Sequence, residues 1–144
     1  MKTVSQLLEI KGNAILSIPS EASVYEALVI MEANRVGALL VMDEGRLVGI
    51  FSERDYARSV ALQGKTSKNT LIKEVMTPRS VMTTISRDNT VKECLNLVTN
   101  RRIRHLPVME GETVVGVLSI GDLVKEMIEY QQFLINELMK YIES

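Results

Sequence analysis

Apolar positions recur along the chain in two rhythms, one of period two and one of three to four. Leu7, Leu8 and Ile10 mark a short first helix over Ser5–Ile10, and Lys11–Gly12–Asn13 breaks it. Ala14–Ile18 reads as a short strand ended by Pro19. Ser23 and Glu26 form a capping-box pattern that opens a helix to about Asn34, with Val24, Leu28 and Met31 on one face. Gly37 closes that helix or its exit loop. Ala38–Met42 and Arg46–Phe51 are two strands joined by the turn Asp43–Glu44–Gly45, with the glycine where φ is most in need of being positive. Ser52 then caps a helix to about Leu62.

Gln63–Thr70 is polar and reads as a linker, and Leu71–Met76 as a single helical turn stopped at Thr77–Pro78. The pattern then starts again. Val81–Ile85 is a strand, Thr90 and Glu93 are a capping box opening a helix to about Asn100, and Leu106–Met109 with Thr113–Leu118 form a hairpin. Val24–Asp55 aligns with Val91–Asp122 at an offset of 67 without a gap, and 11 of the 32 positions are identical. Average composition would give about two. The chain therefore divides into residues 1–66, a first repeat with its N-terminal helix, and residues 67–144, a second repeat with an extended C-terminal helix. Each repeat is a β-α-β-β-α unit, an α/β (α+β) fold. Units that cannot bury a sheet face alone pack against one another, here as a pair with pseudo-twofold symmetry.

The last helix extends from Ile120 to about Ile142, far beyond what a repeat needs. Val124, Ile128, Ile135, Leu138 and Ile142 form one apolar line, and Leu123, Met127, Leu134 and Met139 a second. One line covers the protein's own sheet, which leaves the other for a second subunit and predicts a homodimer.

Composition narrows the possible classes. A net charge of −1 gives no general attraction to nucleic acid or anionic membranes. One cysteine excludes an internal disulfide and fits a reducing compartment. Met1–Ile10 carries Ser5, Gln6 and Glu9 where a secretory signal needs an apolar core, and no apolar run reaches the ~20 residues of a membrane span, so the expected setting is the cytoplasm. His105 is the sole histidine and has no partners at metal-ligand spacing, so no metal site is expected. Cys94 falls on an apolar helix face and reads as a small buried hydrophobe.

The candidate chemistry sits where each hairpin enters its last helix. Gly49–Ile50–Phe51–Ser52–Glu53–Arg54–Asp55 and Gly116–Val117–Leu118–Ser119–Ile120–Gly121–Asp122 both end a β-prone run at a serine, with an aspartate three residues later. Capping of the helix start accounts for such a pair in a single copy. Two copies in register favour a binding role added to capping. A hydroxyl and a carboxylate at the tip of a strand-to-helix turn suit a polyhydroxylated ligand, and the helix N-terminus suits a phosphate.

The doubled motif, with Arg35–Val36–Gly37–Ala38–Leu39 and Arg102–Ile103–Arg104–His105–Leu106–Pro107–Val108 before the hairpins, resembles a tandem pair of CBS (cystathionine β-synthase) domains, a Bateman module, over about Val4–Glu129. The resemblance implies a non-catalytic regulatory module that binds adenine nucleotides in clefts between the repeats: AMP first, then ADP, ATP, S-adenosylmethionine or a dinucleotide such as NAD(H). It also implies dimers and an unidentified regulated protein. For the cleft of Asp122 it implies Ser119, Gly121 and Asp122, with Lys11, Gly12, Leu16, Val36, Gly37 and Ala38 as the other wall. For the cleft of Asp55 it implies Ser52, Arg54 and Asp55, with Thr77, Pro78 and Met82, then Ile103, Arg104 and His105. Arg54, Arg104 and His105 would put positive charge near the phosphates of one ligand. Their counterparts Gly121, Gly37 and Ala38 leave the Asp122 cleft more open, which makes it the favoured ribose site. The alternative function is a dimerisation or scaffold module with empty clefts. A small enzyme is disfavoured, because no nucleophile–base pair, Gly-rich phosphate loop or metal cluster is visible.

Overall fold

The structure is a computed structural model that describes residues 1–12 and 14–143. In chain order its elements are α1 (Val4–Lys11), β1 (Ser17–Ile18), α2 (Val24–Asn34), β2 (Ala38–Asp43), β3 (Arg46–Ser52), α3 (Glu53–Tyr56), α4 (Ile72–Val75), β4 (Thr77–Pro78), α5 (Val91–Arg101), β5 (His105–Glu110), β6 (Thr113–Ser119) and α6 (Ile120–Glu143). This is the mixed α/β architecture of two repeats and a long last helix that the sequence predicts. Asn13, the third residue of the predicted break after the first helix, lies outside the described residues.

The chain packs as two units that interleave in sequence. One comprises Ala14–Thr83 with Gly111–Thr113; the other comprises Met1–Asn13, Thr84–Glu110 and Val114–Ser144. The repeats read along the chain at residues 1–66 and 67–144 are thus not the groups in which residues pack.

The unit built on Ala14–Thr83 carries a sheet in the order β1-β2-β3-β4. β1 runs parallel to β2, with Ser17 opposite Leu40, and the other neighbours are antiparallel. Its core is Ile18, Val24, Ala27, Met31, Leu39, Val41, Phe51, Val60, Ile72 and Val75. The hairpin turn uses two left-handed residues, Glu44 (φ 50°) as well as the expected Gly45 (φ 78°).

The unit that holds α1 and α6 is built on the β5-β6 ribbon. Its core is Val4, Leu8, Ile85, Val91, Cys94, Val98, Leu106, Val108, Leu118 and Leu123. α1 joins it by burying Val4 and Leu8, and the Val4 N–H donates to the carbonyl of Asn89 at 3.4 Å. α4 does the same for the other unit, burying Ile72 and Val75. Leu8 and Val75 stand 67 positions apart, so each repeat's leading helix is spent on the unit that carries the other repeat's hairpin.

Three local expectations are corrected. Val81–Ile85 is not a strand: Arg79–Val81 is a 3-10 turn, Val81 is exposed, and only Ile85 pairs, as a single parallel bridge to Val108. The boundary between the packing units falls at Thr83/Thr84, inside that stretch, so its residues do not share one ladder. The predicted strand over Ala14–Ile18 shortens to Ser17–Ile18. The capping box at Ser23 is half made: Ser23 Oγ accepts from the Glu26 N–H at 3.1 Å, while the Glu26 side chain stays exposed to water. Of the two readings of Gly37 the second holds: it ends the exit loop before β2. Arg35 closes α2, in the left-handed conformation (φ 53°, ψ 47°), its N–H donating to the carbonyls of Glu32 and Met31. Arg102 closes α5 in the same conformation (φ 54°, ψ 44°).

Past Ser52 the helix reaches about as far as predicted, but Ala57–Ala61 is wound as a π-helix. α6 buries Leu123 and Glu126 and leaves Val124, Ile128, Phe133, Leu134, Ile135, Leu138, Met139 and Ile142 exposed.

Candidate functional site

Each strand-to-helix turn is built by the same three devices. The first is the cap. Ser52 Oγ accepts from the Asp55 N–H at 3.2 Å, and Asp55 Oδ2 accepts from the Ser52 N–H at 3.0 Å and from its hydroxyl at 3.1 Å. Ser119 and Asp122 repeat this at 3.2, 2.8 and 3.1 Å. Both aspartates are therefore helix caps, as a single copy of the motif implies.

The second device is a carbonyl lent by the loop before the hairpin. The Glu53 N–H donates to Gly37 O at 3.0 Å, and the Ile120 N–H donates to Arg104 O at 2.8 Å. These positions are again 67 apart in both partners. Two of the free N–H groups of each helix start are thus satisfied within the protein.

The third device depends on the glycine of the motif. A Cβ on Gly49 would sit 2.6 Å from Met76 Sδ and 2.7 Å from Thr77 O; one on Gly116 would sit 2.5 Å from Leu8 Cδ2. The missing side chains let the segment after α4 lie on β3, and let α1 lie on β6. The consequence differs between the copies. Thr77 Oγ1 reaches Asp55 Oδ1 at 3.1 Å. On the other turn Lys11, at the last residue of α1, donates from Nζ to Asp122 Oδ2 at 2.6 Å and to Val117 O at 2.7 Å.

Electrostatics separates the two turns further. Burial acts to raise the Asp122 pKa, but hydrogen bonds from Lys11 and from Ser119, with the charge of Lys11, outweigh it and hold the group below 3.8. Its side chain keeps 29% of its exposure and that of Lys11 39%, so the pair stands at the surface. Among the described residues every donor to Asp122 ends on Oδ2, which leaves Oδ1 open to a further donor.

The structure thus brings Lys11 onto Asp122 and Ser119, with Gly12 next in the chain, and Gly121 lies exposed in the first turn of α6. It brings Thr77, with Pro78 next to it in β4, onto Asp55 and Ser52. Arg54 is exposed on α3, and Met82 is half-buried past the 3-10 turn. Leu16, Val36, Gly37 and Ala38 belong to the unit of Asp55, where Leu16 O accepts from the Leu40 N–H at 3.2 Å and Ala38 pairs with Ser52. Ile103, Arg104 and His105 belong to the unit of Asp122, where His105 opens β5.

Glu126 and the depression beside it escape a reading of the sequence, whereas the burial of Cys94 does not. Glu126 is 3% exposed, and its carboxylate accepts from the Lys2 N–H at 2.7 Å and from Lys2 Nζ at 3.1 Å. It borders an open depression of about 380 Å³ lined also by Met1, Gln6, Glu129, Tyr130 and Phe133. The available signal is its position three residues after buried Leu123, on the inward face of α6. Cys94 is buried, and burial, with the charge of Glu93, pushes its thiol up to about 11, so it is not an activated nucleophile. Among the described residues no group of three or more His, Cys, Asp or Glu side chains is placed to hold a metal ion, and no helix is long and apolar enough to cross a membrane.

Comparison with known proteins gives the same two-fold pattern. The family model described as "CBS domain" matches residues 9–62 and again residues 72–129. The chain is 33% identical to the mitochondrial CBS domain-containing protein CBSX3 of Arabidopsis thaliana over 149 residues, spanning 99% of this chain and 72% of that one. Among solved structures it is similar to a putative signal-transduction protein with CBS domains from Burkholderia ambifaria MC40-6, at 40% identity and a TM-score of 0.84, covering 89% of this chain and 95% of the other. It is also similar to the CBS domain pair of protein MJ0100, solved in complex with 5′-methylthioadenosine and S-adenosyl-L-methionine, at 26% identity and a TM-score of 0.77, covering 90% and 98%. The repeated unit, the two matched turns and these likenesses all describe one kind of chain: it belongs to the CBS-domain family, and carries two copies of the domain.

Proposed function

We propose that this chain is a non-catalytic regulatory module that binds an adenosine nucleotide at its Ser-x-x-Asp turns, AMP in the first place, with ADP, ATP or NAD(H) as alternatives. The observation that carries the reading is the pair of matched turns, each offering a carboxylate beside a helix N-terminus. A carboxylate accepts from a ribose hydroxyl, and the helix start favours the phosphate. The adenosyl ligands held by the CBS pair of MJ0100 support the ligand class. Residues 1–66 and 67–144 supply one domain each, and the expected setting is the cytoplasm. The regulated partner is a protein that responds to the nucleotide-bound form.

The test is binding and thermal unfolding with AMP, ATP and NADH. A ligand that binds only the folded chain at ~100 times its Kd adds about 2.7 kcal/mol, a rise of several degrees in Tm. Asp122→Ala is expected to weaken AMP by about 1.5–3 kcal/mol, the worth of a hydrogen bond to a charged group. Asp55→Ala reports on the second turn. Each is read against its own ligand-free Tm, since both aspartates also cap helices. If neither substitution changes nucleotide binding, the two carboxylates are caps alone.

A second reading has its own support. The apolar positions left exposed along α6, among them Ile128, Ile135, Leu138 and Ile142, favour a module that also pairs with a second copy of itself.

A further inference from the structure

We infer that Lys11 and Asp122 act together as a selector for a vicinal diol, so that the Asp122 turn discriminates ribose from deoxyribose through Lys11. The inference rests on the nucleotide-binding reading above and goes beyond it by naming which group sets the sugar specificity and at which of the two turns.

The donors and acceptors left over at this turn decide what it can bind. An ammonium group has three N–H donors and no acceptor. Lys11 spends two of them, on Val117 O at 2.7 Å and on Asp122 Oδ2 at 2.6 Å. These two bonds fix the position of Nζ and leave one N–H to give. On Asp122, Oδ2 is saturated by Lys11 and by the backbone and hydroxyl of Ser119, and Oδ1 is left to accept. A donor and an acceptor therefore stand side by side at a half-exposed surface. A hydroxyl both donates and accepts, and a vicinal diol presents two of them on neighbouring carbons. One hydroxyl donates to Oδ1, and either oxygen of the diol accepts from Lys11.

The other turn lacks this arrangement. The residue brought to Asp55 is Thr77, and its hydroxyl ends on Asp55 Oδ1, the oxygen that stays open in Asp122. Its single proton is used there, so it has no further donor to offer. Two turns of equal sequence pattern thus differ in what they can recognise, and the difference comes from the segments that Gly49 and Gly116 admit.

The experiment is calorimetric titration of the full chain with AMP, 2′-deoxy-AMP and 3′-deoxy-AMP. It is run on the parent protein and on Lys11→Met and Lys11→Arg, each first shown to unfold cooperatively. The parent is expected to prefer AMP over either deoxy analogue by about tenfold or more, the scale of one charged hydrogen bond. Lys11→Met is expected to reduce that ratio to about two- to threefold by weakening AMP while leaving the deoxy analogues nearly unchanged; this range is on the order expected when one of two bonds remains. Lys11→Arg keeps a charged donor at the end of α1 and is expected to retain most of the ratio. The inference is overturned if Lys11→Met keeps the full ratio, or if it weakens all three ligands equally, which would make Lys11 a phosphate contact or a structural clasp. Should Lys11→Met fail to fold, loss of the ratio in the folded Lys11→Arg, or its absence in the parent protein, overturns it as well. Failure of the parent to bind any of the three nucleotides defeats the underlying nucleotide reading instead, and the inference with it.

Discussion

Glu126 is the residue whose environment departs furthest from what its type prefers. A carboxylate at 3% exposure needs partners, and Lys2 supplies both its N–H and its ammonium. Burial pushes the pKa of Glu126 up, but the two Lys2 hydrogen bonds and the positive charges of Lys2 and the N-terminus outweigh it and hold the group below 4.5. The sign of the linkage follows. A carboxyl group with a depressed folded pKa contributes stability that is complete above its unfolded value, and that is lost as pH falls through the folded one. Glu126→Gln is therefore expected to lower stability near neutral pH by about 1–3 kcal/mol. It should also flatten the loss of stability below about pH 4.5. Urea midpoints measured between neutral pH and pH 3 check both. A variant whose acid limb keeps the parental slope would show that Glu126 does not contribute to it. Asp122 adds to the same limb, since it too is held below its ordinary value.

At the scale of elements, the close approach of α1 to β6 and of β4 to β3 depends on two glycines, and their neighbours differ in how far they can yield. At Gly116 an added methyl meets the end of the Leu8 side chain, which can change rotamer. At Gly49 it meets Thr77 O, the backbone of a strand paired to Ile50. Overpacking of this kind typically costs about 1–3 kcal/mol. Gly49→Ala is expected at the upper end and Gly116→Ala at the lower, both read from the urea midpoint. Gly49→Ala should also loosen the Thr77–Asp55 hydrogen bond, because Thr77 is the residue displaced. Equal or reversed losses would mean that β4 shifts more readily than Leu8 repacks.

For the molecule as a whole, the chain uses α6 for more than its own core. Leu123 and Glu126 are its buried residues, and every described residue beyond Tyr130 is exposed. Apolar side chains make up much of that stretch: Phe133, Leu134, Ile135, Leu138, Met139, Tyr141 and Ile142. A second copy of the chain that laid the same helix alongside would cover them, in the manner of two amphipathic helices that share a seam. Sedimentation of the intact chain at micromolar concentration is expected to give a dimer. A chain ended at Tyr130 is expected to be folded and monomeric, because it loses none of the buried residues. An intact chain that sediments as a monomer would refute this.

Much of the architecture was legible because it is decided by neighbours a few positions apart. The capping boxes at Thr90 and at Ser119–Asp122, the turn at Gly45 and the start of every long helix depend on contacts within about one helical turn. The repeat was legible because 11 of 32 positions coincide, and the repeat carried the family with it. Other outcomes depended on partners far along the chain, and no local pattern contains those. Arg35 and Arg102 take the left-handed position at the ends of α2 and α5, and two residues further on Gly37 and Arg104 lend carbonyls to the starts of α3 and α6. Val81–Ile85 is rich in β-branched residues, as strands are, yet the boundary between the packing units cuts it. The repeated motif marked both aspartates alike, and the residues around it favoured Asp122. The resemblance assigned Lys11 to the cleft of Asp122 and Thr77 to that of Asp55, but the contacts the two residues make came only with tertiary structure, because which leading helix packs on which sheet is settled by where Leu8 and Val75 bury their side chains. Burial of apolar surface has no direction and no fixed range along the chain, so its outcome appears only when the whole chain is folded.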